Sequence, residues 1–260
     1  MSDNIFNRIP DLNYTEVGPT PFVEEFDKIV RARRSVRVYK EDEAVPEEVM
    51  RQVLDWTLLA PNSSNLQCWE FIWVRDQNEK KKLAYYCFNQ PAAKTAAELV
   101  VAVARPSLWK KHAKEMLELF DEQERKGQMV PKAAIDYYKK IVPFIYSQGP
   151  LGLFGFIKRP LIFCLGLFKV VPRQPVSPEQ LKKWAVKSTA LACENFMLGM
   201  TAQGFDTCPM EGFDERKVKK QLGLKSSDEV AMIISCGKRD DSGVYGPRLR
   251  FDNERFIRII

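Results

Sequence analysis

Residues Leu99 to Ala104 form an unbroken run of apolar side chains of ordinary strand length. Such a run offers no polar face to water, so it has to be a central strand buried within a sheet. Val230 to Cys236 makes the same demand a second time. Trp69 to Val74, rich in aromatic and β-branched residues, adds a third strand, and Phe205 to Cys208 a short fourth. Helices fill the intervals. The longest spans Ser177 to Gln203 and opens on Ser177-Pro178-Glu179-Gln180, with Gln at the third helical position and Gly204 closing it. Its apolar side recurs at Leu181, Trp184, Ala185, Ala192, Phe196 and Met200. Glu47 to Leu59 repeats Met50, Leu54 and Leu58 at helical spacing; Pro46 suits its first turn and Pro61 stops it. Further helices are expected over Pro21–Arg33, Glu79–Tyr86, Leu108–Lys126, Pro131–Ile141 and Glu215–Leu222. Residues 1–20 and 240–260 read as polar arms.

The rest of the composition removes whole classes of function. A net charge of +6 is mild, and the longest pure basic run is Lys80-Lys81-Lys82, a solvated helix face rather than a nucleic-acid surface. The six cysteines, at 68, 87, 164, 193, 208 and 236, contain no Cys-x-x-Cys pair, and with one histidine no metal site is expected. That histidine, His112, reads as a surface residue of a Lys-rich helix. Met1-Ser2-Asp3-Asn4 does not begin a secretory signal, so reduced thiols in a cytoplasmic setting are expected, and the Asn-x-Ser/Thr matches at Asn13 and Asn62 carry no glycosylation meaning. No strand is followed by Gly-x-Gly-x-x-Gly or Gly-x-x-x-x-Gly-Lys, which argues against Rossmann and P-loop folds.

Three segments carry candidate chemistry. Arg33-Arg34-Ser35-Val36-Arg37 sets three guanidinium groups and a hydroxyl within five residues, a seat for a phosphate dianion. Ala60-Pro61-Asn62-Ser63-Ser64-Asn65-Leu66-Gln67-Cys68-Trp69 is a turn of short amides and hydroxyls able to read a polar ring edge. Cys208-Pro209-Met210-Glu211-Gly212-Phe213 ends a strand and leads into a helix, so its backbone N–H groups can face a ligand. Taken singly, each also reads as ordinary structure: cations at a helix C-terminus, a polar loop, a strand-to-helix turn. In this order they resemble the FMN-dependent nitroreductase family, over most of the chain outside residues 105–178.

The resemblance implies an α+β fold with a central, mainly antiparallel sheet wrapped by helices, in an interlocked homodimer. It implies that Arg33, Arg34, Ser35 and Arg37, with Arg248 and Arg250 from the C-terminal arm, hold the FMN phosphate. Arg34 can instead turn away and pair with a carboxylate. Pro61, Asn62, Ser63, Asn65 and Gln67 would reach the flavin of the partner subunit, and Asn89 its pyrimidine edge. In Pro209-Met210-Glu211-Gly212, the Glu-Gly N–H groups would face flavin N5 and O4, where negative charge accumulates on reduction. No side chain is required as a catalytic acid or base. Cys68 departs from the family, which usually has proline there, and Lys94 stands farther along than the family's lysine. Cys68 and Cys208 read as small packing residues. The implied activity is two-electron transfer from NADH or NADPH to a small aromatic acceptor, such as a nitroaromatic or quinone, in ping-pong order. A dehalogenase, a dehydrogenase of a dedicated metabolite, and a membrane-associated binding protein without turnover are the alternatives.

The chain is expected to be one nitroreductase-like domain, 1–260, with an apolar insertion at about 107–176. Residues 141–172 are the part that the resemblance does not explain. Their longest uncharged run falls short of the ~20 residues that a spanning helix needs. Three placements stay open: a lid over the flavin, a dimer contact, or a face resting peripherally on membrane lipid.

Overall fold

The computed structural model describes residues 15–149 and 152–260. Residues 1–14 of the expected N-terminal arm, Asn13 among them, and Pro150-Leu151 of the insertion lie outside this range. Four strands form one sheet in the order β1-β2-β4-β3, with every pairing antiparallel. They are β1 (Trp69–Val74), β2 (Glu98–Ala104), β3 (Asp206–Met210) and β4 (Glu229–Gly237). The α+β class and the antiparallel sheet expected from the sequence are both present.

Strand β2 takes the central position that its apolar run demanded, and it is buried on both faces. Leu99, Val101 and Val103 enter one core with Leu83, Cys87, Val218 and Ile233. Val100 and Ala102 enter the other with Met50, Val53, Phe196, Met200 and Ile234. Each such aliphatic side chain contributes about 1.5–3 kcal/mol when fully removed from water, so neither face tolerates a polar substitution.

Helix α1 (Val23–Ala32) leads into the arginine cluster, and α2 (Glu47–Leu58) covers one sheet face. Helix α3 (Gln77–Tyr86) starts two residues earlier than the sequence suggested, because Asp76 caps it by accepting from the N–H groups of Asn78 and Glu79. A single turn, α4 (Pro91–Lys94), leads into β2.

Beyond β2 come α5 (Trp109–Arg125), α6 (Lys132–Asp136), a π-helical turn at Tyr137–Ile141, α7 (Val142–Tyr146) and α8 (Phe154–Phe168). The expected helix to Ile141 is thus broken: its last turn is wound wider, and Pro143 continues the chain as the first turn of α7. Helix α9 (Pro178–Ala202) packs against α2 and the sheet; α10 (Glu215–Gln221) lies between β3 and β4. Ser177 caps α9 as expected, accepting from the Gln180 N–H at 3.2 Å, while the Gln180 side chain reaches back to the Val176 N–H at 2.7 Å. Helices α2 and α9 approach closely at Gly199, where a Cβ would stand 3.0 Å from Val53.

Two expectations need correction. Strand β3 runs on through Pro209 and Met210, which pair with Ile234 and Ile233, so these two residues are strand rather than loop. Pro209 is tolerated because β3 ends the sheet and its missing N–H breaks no interior ladder. The C-terminal arm is not only polar: Leu249, Phe251, Phe256, Ile257, Ile259 and Ile260 are exposed along it.

Candidate functional site

The arginine cluster sits where the sheet edge fixes it. Ser35 bridges Thr207 in parallel, the Val36 N–H donates to the Thr207 carbonyl at 3.0 Å, and the Arg37 N–H donates to Gly243 at 2.7 Å. Residues 35–37 therefore run beside β3, and Arg33, at the end of α1, is held next to it. Burial raises the Cys208 thiol, and the guanidiniums of Arg37 and Arg33 pull it partly back, so both cations lie within electrostatic reach of β3. Cys208 itself is fully buried and acts as packing.

The C-terminal arm completes the cluster. Arg248 donates to the carbonyl oxygens of Arg31 and Arg33. Partial desolvation, then the like charges of Arg33, Arg250, Arg34 and Arg31, push the Arg248 guanidinium below its ordinary value. Of these cations, Arg31 is paired with a carboxylate, Asp27 at 2.7 Å. Arg34 does turn away, though to the Gly246 carbonyl at 2.6 Å and not to a carboxylate, so it ties the arm down. A concentration of mutually repelling cations at the surface matches the requirement of an anionic group.

The end of β3 faces a second loop. Glu211 and Gly212 are exposed, and among the described residues neither of their N–H groups donates to a backbone carbonyl. Gln90 Nε2 donates to the Gly212 carbonyl at 2.8 Å, and the Asp214 N–H to the Tyr86 carbonyl at 2.8 Å. These bonds bring Asn89 beside the strand end. Phe88 and Asn89 hold positive φ angles of 59° and 52°, a conformation that Asn tolerates but that is costly for Phe and recurs at ligand sites. Both side chains are exposed. Gln90 was not singled out in the sequence; an amide beside Asn89 is its only sequence signal. Lys94 is elsewhere, lining a hollow of about 310 Å³ with Glu41, Glu43, Lys80 and Glu98.

The turn at 61–67 lies apart from both. It precedes β1, and β1 and β3 are the two opposite edge strands of the sheet, about 14 Å apart across three strand spacings. Asn62, Ser63, Asn65 and Gln67 share no hydrogen bond with the arginine cluster or with residues 209–212 among the described residues. Within the turn, Asn62 Oδ1 accepts from the Gln67 N–H at 2.8 Å, and Ser64, Asn65 and Gln67 all adopt positive φ. Pro61 is exposed at its start.

This strained turn is held from outside. Ser64 Oγ lies 2.6 Å from the Tyr137 hydroxyl and 2.8 Å from that of Tyr146; Tyr146 also meets Ser63 Oγ at 3.1 Å. The Tyr138 hydroxyl donates to the Ser64 carbonyl at 2.6 Å. Burial pushes the Tyr138 hydroxyl up to about 12 and raises that of Tyr146, so both remain protonated donors. His112 is half-buried rather than a free surface residue: its Nδ1 meets the Leu66 carbonyl at 2.7 Å, which places the ring proton on Nδ1. It lines a hollow of about 340 Å³ with Asn65, Gln67, Trp69 and Glu115. Cys68 is buried, its thiol pushed up to about 12, which suits packing and not redox chemistry.

Comparison with known proteins identifies the family and the fold. Residues 30–238 match the Nitroreductase family. The chain is 25% identical over 217 residues to an NADH dehydrogenase of Thermus thermophilus, covering 84% of this chain and 88% of that one. It is 23% identical over 219 residues to an oxygen-insensitive NADPH nitroreductase of Helicobacter pylori, covering 83% and 88%. A candidate nitroreductase of Exiguobacterium sibiricum, solved in complex with FMN, shares the fold with a TM-score of 0.65 at 24% identity, over 95% of this chain and all of that one. The match runs from the end of α1 through β4, so it takes in Arg33 to Arg37 and the strand-end loop, and the chain belongs to the Nitroreductase family.

Proposed function

We propose that the protein is an FMN-dependent oxidoreductase that draws electrons from NADH or NADPH. The observation that carries this reading is the cation cluster in which Arg33 and Arg37 lie near β3 and Arg33 and Arg250 crowd Arg248 enough to depress it; among the described residues none of the four is in an ion pair. The donor set fits the cofactor. Ser35 adds a hydroxyl for the phosphate, and the free N–H groups of Glu211 and Gly212 suit the electron-rich edge of the flavin. When bound, FMN would take a hydride equivalent from NAD(P)H and pass two electrons to an organic acceptor, such as a nitroaromatic or quinone, in ping-pong order. The chain's own residues would bind and orient it: Arg33, Arg37 and Arg250 would neutralise the phosphate and Ser35 would donate to it, while Arg248 fixes the end of α1 and Asn89 would read the ring edge.

The turn at Asn62, Ser63, Asn65 and Gln67 serves the site of a second subunit in this reading. Its position at the far edge of the sheet supports a homodimer in which each chain completes the other's site. Exposed Phe22 just before α1, Val23 and Phe26 on it, and the hydrophobic residues of the C-terminal arm are surfaces that such a partner would cover. The whole chain is read as one domain with an insertion over about 107–176. Purified protein should carry a yellow chromophore that NADH or NADPH bleaches anaerobically and that a quinone restores. Protein that remains colourless after incubation with excess FMN would refute the reading.

A further inference from the structure

Helix α8 is built inside out. Its buried positions are Gly155, Lys158 and Ile162, spaced to form one stripe, and the stripe holds a lysine. Lys158 donates to the carbonyls of Ile145 and Ser147 at the end of α7, where carbonyls lack helical partners. Gly155 permits this seating, since a Cβ there would run into the Val176 carbonyl. The outer side is apolar: Phe156 is 74% exposed, Ile157 67%, Phe163 61%, Leu167 65% and Phe168 86%. A single helix facing water would place these residues inward and the lysine outward.

The surrounding charge is of one sign. Between Asp136 and Glu179 the sequence has no acidic residue, while Lys139, Lys140, Lys158, Arg159, Lys169 and Arg173 lie within that interval. Arg159, Lys169 and Arg173 are exposed around the apolar face, with Glu179 the carboxylate beside Arg159. The helix has 15 residues, about 22 Å at 1.5 Å each, against the ~30 Å of a bilayer core. Among the described residues no helix is long and apolar enough to cross a membrane.

We propose that α8 docks in the plane of an anionic phospholipid surface, its phenylalanines entering the acyl boundary and Arg159, Lys169 and Arg173 meeting the headgroups. A second copy of the chain is the weaker occupant. In a two-fold contact through this face, the basic rim of one subunit would meet the same basic rim of the other. A lipid surface supplies both the apolar interior and the complementary charge. The proposal does not depend on the flavin reading, and its test needs no turnover.

The test is co-sedimentation of the full chain with vesicles of pure phosphatidylcholine and of phosphatidylcholine with phosphatidylglycerol in equal parts. Binding to the mixed vesicles, weakened by added salt, is expected. Reversing Lys169 and Arg173 together, Lys169→Glu with Arg173→Glu, should weaken it about ten-fold. Phe163→Ser with Leu167→Ser should weaken it about as much. All four side chains are exposed, so the thermal unfolding temperature should hold within a few degrees and show that the fold is intact. Failure of the parent to sediment with either vesicle would overturn the proposal. So would sedimentation velocity showing a self-associated species that Phe163→Ser with Leu167→Ser dissociates.

Discussion

Arg248 Nη2 lies 2.5 Å from the carbonyl oxygen of Arg33, joining the C-terminal arm to the end of α1 across 215 residues of sequence. The same nitrogen donates to Arg31, so this guanidinium is fixed by backbone rather than by a carboxylate. Its charge remains available to a ligand, and both bonds depend on where the longer arginine side chain places this one nitrogen. Arg248→Lys should therefore keep the charge but lose the fixed position, weakening FMN about five- to ten-fold, and Arg248→Ala should cost more. Fluorescence titration of the stripped protein with FMN checks the order of the three proteins.

The tyrosine latch on the 61–67 turn predicts a pH dependence. The Tyr138 hydroxyl is raised from 10.0 to about 12, so the folded state holds this proton more tightly than the unfolded chain. Its contribution is fully present below the unfolded value and is lost as pH rises through the folded one. Thermal stability should fall across the window from 10.0 to about 12. Tyr138→Phe, which has no proton to lose, should fall less over the same range while starting lower. Parallel slopes for the two proteins would show that Tyr138 is not the group responsible.

Tyr146 offers a second test of the same turn. Tyr146→Phe removes the hydroxyl that meets Ser63 and Ser64 but keeps the ring packed on Trp184. Loss of stability by about 1–2 kcal/mol is expected from chemical denaturation. FMN affinity should drop as well, because the latch braces the turn in which Ser64, Asn65 and Gln67 take positive φ.

If the turn completes a partner's site, cofactor binding and dimerisation are linked. Added FMN should shift the monomer–dimer equilibrium toward dimer by mass action. Sedimentation velocity on serial dilutions, with and without FMN, measures this directly; a monomer that keeps FMN fully bound would reject the shared site.

Much of this was legible in the chain, and the reasons are physical. Strand β2 and helix α9 announced themselves because burial on both faces and a capped 3.6-residue period leave local signatures. The end of β3 did not, since Pro209 reads as a breaker unless the strand is known to lie at the sheet's edge. The cation cluster was visible as residue types, but that Arg34 and Arg248 grip backbone carbonyls could not be read from composition. Neither could the latch, in which Tyr137, Tyr138 and Tyr146 act on Ser63 and Ser64 more than 70 positions away. The apolar character of residues 249–260 was missed because their hydrophobic residues are interleaved with charged ones.

The central claim is that guanidiniums from both ends of the chain hold the phosphate of FMN. Titrating stripped parent, Arg33→Ala and Arg250→Ala with FMN and with riboflavin, which lacks the phosphate, tests it most directly. Each substitution removes a charge-assisted hydrogen bond of roughly 1.5–3 kcal/mol, so FMN should bind about ten- to a hundred-fold more weakly. Riboflavin should bind all three proteins poorly and nearly alike. FMN affinity unchanged in either variant, or lost equally for FMN and riboflavin, would contradict the account.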